Sequence, residues 1–363
     1  MKGRNAIVGI IVVGIVTLIL LKLYVFKKQE VVQAKDPLPT ESFIQQHLIA
    51  DDGRIRTNIT DQSEIYLSET VGLWMDYLLA KEDSEQFNKQ AKVLKKYFLT
   101  SDYLVAWELK GTMKAPANAS IDDFRIMNAF YEAGEKWNNR SYTKMARKMA
   151  ESLSKYHLRQ GFLVDYVDLE TKYQGTEITL SYIIPAAFDR LKEEEVITSN
   201  TYNLTQQLLL ELPNSSIGFF PKTYNVPTKE LIYDDQVNLI DQFYVGYHRA
   251  QWGGDVSPLL AFAKQAFSDG GGMIYGRYDG VTGRPIVEYE AVAVYALAIL
   301  MCLEIGEVEF AEKLISRMNT LQVRDFKQPY YGGYIDLHSR DTHTFDNLLA
   351  MIAERRWIDE QAY

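Results

Sequence analysis

Ser68-Glu69-Thr70-Val71-Gly72-Leu73-Trp74-Met75 puts a carboxylate in the first turn of an otherwise apolar helix. Gly72 is a poor helix former, and its missing side chain leaves room for a close approach. A carboxyl set among Leu67, Leu73, Trp74 and Met75 loses hydration, which raises its pKa and suits a general acid. The plain alternative is a first-turn Glu favoured by the helix dipole. Ala119-Ser120-Ile121-Asp122-Asp123-Phe124-Arg125-Ile126 places an acid pair at a second helix start, where capping alone would account for it. Leu231-Ile232-Tyr233-Asp234-Asp235-Gln236 begins a third. Three such starts in a mostly helical, acidic chain point to carboxylates converging on one rim of a helical barrel.

Outward from these segments, apolar residues at i, i+3, i+4 and i+7 mark helices near 40–49, 66–80, 84–99, 121–136, 142–157, 179–192, 200–211, 235–250, 256–268, 288–303, 307–320 and 342–356. Those are twelve helices, or six hairpins, separated by short Gly, Asn, Asp or Pro breaks. Ser120 and Ser84 stand where caps belong. Strand-like alternation is scarce. No segment reads as an interdomain linker, so residues 36–363 are expected to form a single domain.

The chain has 363 residues, 47% apolar and 24% charged, which fits a globular protein rather than a disordered or polytopic one. Residues 1–35 hold six bases against Glu30 alone, leaving residues 36–363 with 33 bases against 47 acids, a net charge of −14. An acidic body argues against nucleic acid as a partner, because phosphate binding needs clustered Lys and Arg. The one cysteine, Cys302, sits in an apolar helical pattern and reads as a small buried hydrophobe. It excludes a disulfide framework, a thiolate metal cluster and an N-terminal lipid-modified cysteine.

Residues 6–26 are apolar except for Thr17 and Lys22, and at about 1.5 Å per residue they reach roughly 31 Å, enough to span a bilayer. Lys27-Lys28-Gln29-Glu30 follows, where a cleaved signal would carry a neutral small-residue site. The expectation is a single-pass membrane anchor within residues 1–35. Cleavage after Val32-Gln33-Ala34, giving a secreted protein, is the second reading.

The five histidines form no metal-ligand spacing, and His338, Asp341 and His343 lack supporting ligands, so no metal site is expected. Nucleophile-elbow, Walker and dinucleotide motifs are absent. Trp74 and Trp107 could stack on sugar rings, although aromatic residues more often serve a core.

At these residues the sequence resembles glycoside hydrolase family 8, inverting endo-hydrolases of β-1,4-linked glucans, xylans and chitosan, from about residue 60 to residue 355. In that family a Ser-Glu-Gly-x-Gly-Tyr-Gly-Met segment carries the general acid. Ser68-Glu69, Gly72 and Met75 match it, while Thr70, Leu73 and Trp74 depart. The family's Ala-Thr-Asp-x-Asp-Leu-Asp-Ile-Ala segment resembles Ala119 to Asn128, with Asp123 at the Asp that contacts the reacting sugar and Ile121 and Arg125 replacing the flanking acids. Gly134-Glu135-Lys136-Trp137 and Leu180-Ser181-Tyr182-Ile183-Ile184-Pro185-Ala186 also look familial. Tyr233-Asp234 matches a Tyr-Asp-Ala segment whose Asp is the general base, and Asp235 in place of Ala leaves two candidates. Tyr331-Gly332-Gly333-Tyr334 and Thr344 to Ala350 resemble the last repeat.

The resemblance implies an all-α, (α/α)6 barrel of about twelve helices. It implies an inverting, endo-acting glycoside hydrolase with Glu69 as general acid, Asp234 as general base and Asp123 on the sugar. Tyr182, Tyr233, Asp235, Trp74 and Trp107 would bind substrate, and no cofactor is needed. With an anchor the substrate is expected to be a bacterial exopolysaccharide and the enzyme a monomer facing outward. The departures at Thr70, Ile121 and Arg125 motivate a second reading, an inactive polysaccharide-binding module of an exopolysaccharide synthesis or export complex. A helical scaffold for protein partners is a third.

Overall fold

Apolar stripes interrupted by capping and breaking residues become twelve α-helices among the described residues, which in this computed structural model are 34–361. The stretch 6–26, and the anchor expected there, lies outside them. Among the described residues no helix is long and apolar enough to cross a membrane. The chain divides at Lys35/Asp36 into two units, and the second is described here.

Helix α1 spans Pro39–Phe43 and continues as a π turn over Ile44–Leu48; α2 is Ser68–Lys81, α3 Ser84–Val93, α4 Ser120–Lys136, α5 Arg140–His157 and α6 Pro185–Glu193. Then come α7 Ser199–Leu210, α8 Leu239–Gln251, α9 Ser257–Asp269, α10 Val292–Glu304, α11 Val308–Thr320 and α12 Thr344–Gln361. Sequence dictates the layering. In α5 the buried residues Tyr142, Ala146, Met149, Ala150, Leu153 and His157 form one helical stripe, as an outer helix requires. In α10 every residue from Ala293 to Leu303 is buried, Cys302 included, so this helix is packed on all sides.

The even-numbered helices form the inner ring. Each packs on the next, α2 on α4, α4 on α6, α6 on α8, α8 on α10 and α10 on α12, and α12 returns to α2. The odd-numbered helices alternate with them, giving a mainly helical, six-hairpin (α/α)6 arrangement.

Short antiparallel strands decorate one rim: β1 Ile65–Leu67 with β2 Glu108–Lys110 and β3 Met113–Lys114; β4 Leu158–Arg159 with β5 Phe162–Leu163; β6 Glu177–Thr179 with β7 Thr223–Asn225 and β8 Glu230–Ile232; and β9 Gln236–Asn238 with β10 Arg277–Asp279. Two expected helix starts change accordingly. The segment 179–192 opens as a 3-10 turn, Leu180–Tyr182, and α6 begins only at Pro185, whose fixed φ and missing N–H suit a first helical position. The segment 235–250 becomes helical only at Leu239, because 236–238 pairs with β10 and Asn238 caps the helix through Ile240 N at 3.0 Å. Asp234 and Asp235 therefore lie in a loop, not in a helical first turn.

Polar groups close the ring where its two ends meet. Thr40 Oγ1 donates to Glu354 Oε2 at 2.8 Å, and Tyr334 OH to Glu354 Oε1 at 2.7 Å. Glu41, only 1% exposed, accepts from Lys81 Nζ and Tyr77 OH, both at 2.6 Å. Gly332, at φ +87°, lies against Pro39, where a Cβ would come within 2.2 Å of the Pro39 carbonyl oxygen. Glu41→Leu takes the acceptor from Tyr77 and leaves Lys81 with Asp83 alone, at 3.3 Å, so it is expected to lose about 3 kcal/mol in urea unfolding. Glu41→Leu with Lys81→Met should recover most of that loss; an equal loss in both would contradict the pairing.

Candidate active site

The inner helices all start at one end of the barrel. Ser68, first in α2, donates from Oγ to Asp122 Oδ2 of α4 at 2.5 Å. Ser181 Oγ reaches Asp241 of α8 at 3.4 Å, and Ala293 N at the start of α10 donates to Asp346 of α12 at 2.8 Å. First turns therefore deliver Glu69, Asp122, Asp241 and Asp346 to a common rim, where free N–H groups and helix dipoles favour negative charge.

Glu69 is the most perturbed of the acids that face the cleft. Burial, then the charges of Asp122 and Asp346, push its carboxyl up to about 8, against the opposing pull of Arg125. Asp122 is pushed to about 6 by burial, with Arg125 and the Ser68 hydroxyl acting the other way. Both carboxyls are raised, Glu69 the further, which is the direction a general acid needs. Tyr182, in the 3-10 turn, lies among Asp122, Asp165, Glu69 and Asp241, and burial and these charges hold its phenol well above the usual range.

Asp123 is placed elsewhere. It is fully buried, and its two oxygens accept from Val105 N at 3.0 Å and Asn118 Nδ2 at 2.8 Å. Asn118 in turn accepts from Val167 N at 2.7 Å and sits 2.8 Å from His157 Nε2. Asp123 ties α4 to its outer wall, while its neighbour Asp122 faces Glu69. One helical residue turns the side chain by about 100°, so the first of the acid pair, not the second, reaches the cleft.

The aromatic expectations divide. Trp74 is 2% exposed and stacks on Tyr77 at 5.6 Å, so it belongs to the core and offers no sugar platform. Trp107 is 40% exposed, and its carbonyl accepts from Ser68 N at 2.9 Å, which sets its backbone beside the start of α2. Tyr233 is exposed and donates to the Pro213 carbonyl at 3.0 Å. Asp234 pairs with Lys222 Nζ at 2.9 Å, which also lies 3.9 Å from Asp241. Asp235 is exposed beside it. A Cβ on Gly280 would come within 2.6 Å of the Asp234 carbonyl oxygen, so that glycine sets how this loop is seated.

Asp241 and Asp346 were not singled out in the sequence, and Asp122 was noted there only as one of an acid pair, with the site role given to Asp123. Asp122, Asp241 and Asp346 are each the third residue of their helix, and that position is the signal that would have found them.

A six-hairpin helical barrel with buried acids at one rim is the fold of glycoside hydrolase family 8. Endoglucanase Cel10 from Klebsiella pneumoniae, described as a family 8 glycosyl hydrolase, superposes with TM-score 0.61 at 16% identity over 88% of this chain and 99% of its own. An alpha-amylase from Clostridium perfringens gives 0.80 at 24% identity over 88% and 96%. PssZ from Listeria monocytogenes gives 0.74 at 26% identity over 89% and 97%. No family model matches the chain. It belongs to the family of the Bacillus subtilis (strain 168) protein named "Putative lipoprotein YdaJ", to which it is 39% identical over 330 residues, 91% of this chain and 89% of that protein.

Three outcomes check the geometry. Glu69 stays neutral in the folded protein up to about pH 8 but ionises above about 4.3 once unfolded, so it costs stability increasingly between those values. Glu69→Gln should therefore melt higher than wild type by a margin that grows from pH 4 to 8 and then levels; a pH-independent margin would contradict the assignment. Asp123→Asn supplies one acceptor where two are used and should lose about 1–3 kcal/mol in unfolding. Asp122→Asn removes the charge facing Glu69 and should move the Glu69 titration to lower pH, read by carboxyl 13C NMR.

Proposed function

We propose that this chain is an inverting, endo-acting glycoside hydrolase of a β-linked bacterial exopolysaccharide. The observation that carries the reading is the rim of a family 8-like barrel, where Glu69 follows Ser68 at the start of α2 and Ser68 hydrogen-bonds Asp122 in the first turn of α4. Glu69 gives its proton to the glycosidic oxygen as the C1–O bond breaks. Asp234 takes a proton from a water attacking C1 from the opposite face, and inversion needs the two carboxyls about 6.5–9.5 Å apart. Lys222 is paired with Asp234 at 2.9 Å and must yield as the water is seated. Asp235 is the second candidate base.

Asp122 takes the sugar contact first expected of Asp123. Tyr182 positions the sugar, Trp107 offers a stacking face and Tyr233 edges the cleft. The reaction needs no cofactor, and the enzyme acts as a monomer. The apolar residues 6–26 and the relative's name both support attachment to the membrane, with the catalytic domain, residues 36–363, outside the cell. Cys302 is buried in α10, so the attachment runs through residues 6–26 rather than through a lipid on that cysteine.

The Lys222–Asp234 pair also supports a second reading, a polysaccharide-holding module whose base is occupied. Product release from β-glucans, xylan, acetylated and deacetylated amino-sugar polymers and starch separates the two. The hydrolase reading predicts oligosaccharides from a β-linked polymer with wild type and at least a hundredfold less with Glu69→Gln. Binding by both without products from either would establish the holding module, and cleavage of starch alone would overturn the β-linkage.

A further inference from the structure

Arg125 lies 5% exposed inside the ring, with its guanidinium between two acids on opposite sides. Nη1 is 3.5 Å from Asp122 Oδ1 on the cleft side, and Nε is 3.6 Å from Asp76 Oδ2. Nη2 donates to Tyr244 OH at 3.4 Å. Asp76 is on α2, Arg125 on α4 and Tyr244 on α8, so this one side chain crosses the barrel interior. Beyond it, towards the C-terminal ends of the inner helices, lies a cavity of about 680 Å³ lined by Asp76, Glu132, His248 and Gln251 among others. Arg125 is the partition between cleft and cavity.

Gly72 makes room for it. A Cβ there would stand 3.0 Å from Arg125 Cδ and 3.3 Å from Cγ. The glycine that looked like a weak point in α2 is the space through which the arginine stem passes. Sequence places Arg125 where the family 8 pattern has an acid, so the extra cation is particular to the pattern of this chain.

We propose that Arg125 is a positioning residue, which by its reach across the barrel keeps the Asp122 carboxylate charged and held at the rim beside Glu69. This inference rests on the hydrolase reading for its purpose, though not for its test. The charged and titratable groups facing Arg125 come from every inner helix it meets. They are Glu69 and Asp76 on α2, Asp122 and Glu132 on α4, and Tyr244 and His248 on α8, with Asp346 of α12 and Tyr182 acting on it through Glu69 and Asp122. His248 is held neutral: burial, then the Arg125 charge, depress it to about 3. Burial and nearby Glu132 raise Asp76 against the pull of Arg125, but its side chain is 38% exposed on the cavity side. Asp122, 5% exposed, is the acid that Arg125 meets out of water.

The test follows the carboxyl 13C resonances of Glu69 and Asp122 through pH in the full-length protein, assigned with Glu69→Gln and Asp122→Asn. Removal of the cation in Arg125→Met should raise both titrations by a unit or more, so that Asp122 is largely protonated at pH 6. Where a polymer is cleaved, the acid limb of kcat should move up by the same amount, lowering kcat at pH 6 about fivefold for a one-unit rise, with KM changing less. Arg125→Lys should restore the titrations in part, because an ammonium keeps the charge without the three-way fork. Gly72→Ala should shift them in the same direction as Arg125→Met with the arginine still present, which keeps the test alive if Arg125→Met fails to fold. Unchanged titrations in folded Arg125→Met or in Gly72→Ala would overturn the proposal. If wild type cleaves no polymer, the function falls while the titrations still decide the role of Arg125.

Discussion

Six inner helices begin at one end of the barrel, so the positive ends of six helix dipoles and their unpaired N–H groups converge there. Everything at the candidate site depends on that convergence. It lets Glu69, Asp122, Asp241 and Asp346 crowd into desolvated first turns, a cluster that self-repulsion would otherwise drive apart. Crowding, in turn, makes the acid: the carboxyl surrounded by the most negative charge and the least water keeps its proton to the highest pH.

The same arrangement carries a cost in stability, since native carboxyls held neutral lose the hydration their ions would gain on unfolding. The remainder of the barrel offsets it. The all-round burial of α10 and the polar seam of Thr40, Glu41, Lys81, Tyr334 and Glu354 both hold the ring together. The seam joins residues far apart in sequence, which makes closure of the ring a condition for holding α2 and α12, and with them Glu69 and Asp346, against each other.

Much of this was legible in the residues. Helical spacing, with the family resemblance guiding the breaks in ambiguous segments, located the twelve helices, and the acid at the start of α2 stood out because its neighbours were apolar. Helix starts were harder wherever a short strand preceded the helix, as at Gln236–Asn238, because three residues carry too little alternation to be recognised. Facing was harder still. Asp122 and Asp123 are adjacent and chemically alike, and only the tilt of α4 against α2 decides which enters the cleft. Trp74 illustrates the same limit, since a ring that could face sugar or core is assigned by the neighbouring Tyr77. Arg125 looked like a lost acid in the sequence; its meaning came from Gly72, Asp76 and Tyr244, all on other helices.

The most direct measurement is 1H NMR of the first products released from a β-linked polymer that the protein cleaves, recorded before mutarotation. An inverting pair of Glu69 and Asp234 predicts new reducing ends in the α configuration. New ends in the β configuration would contradict the account, because they require a covalent intermediate and a carboxylate pair about 5 Å apart rather than one separated by a water.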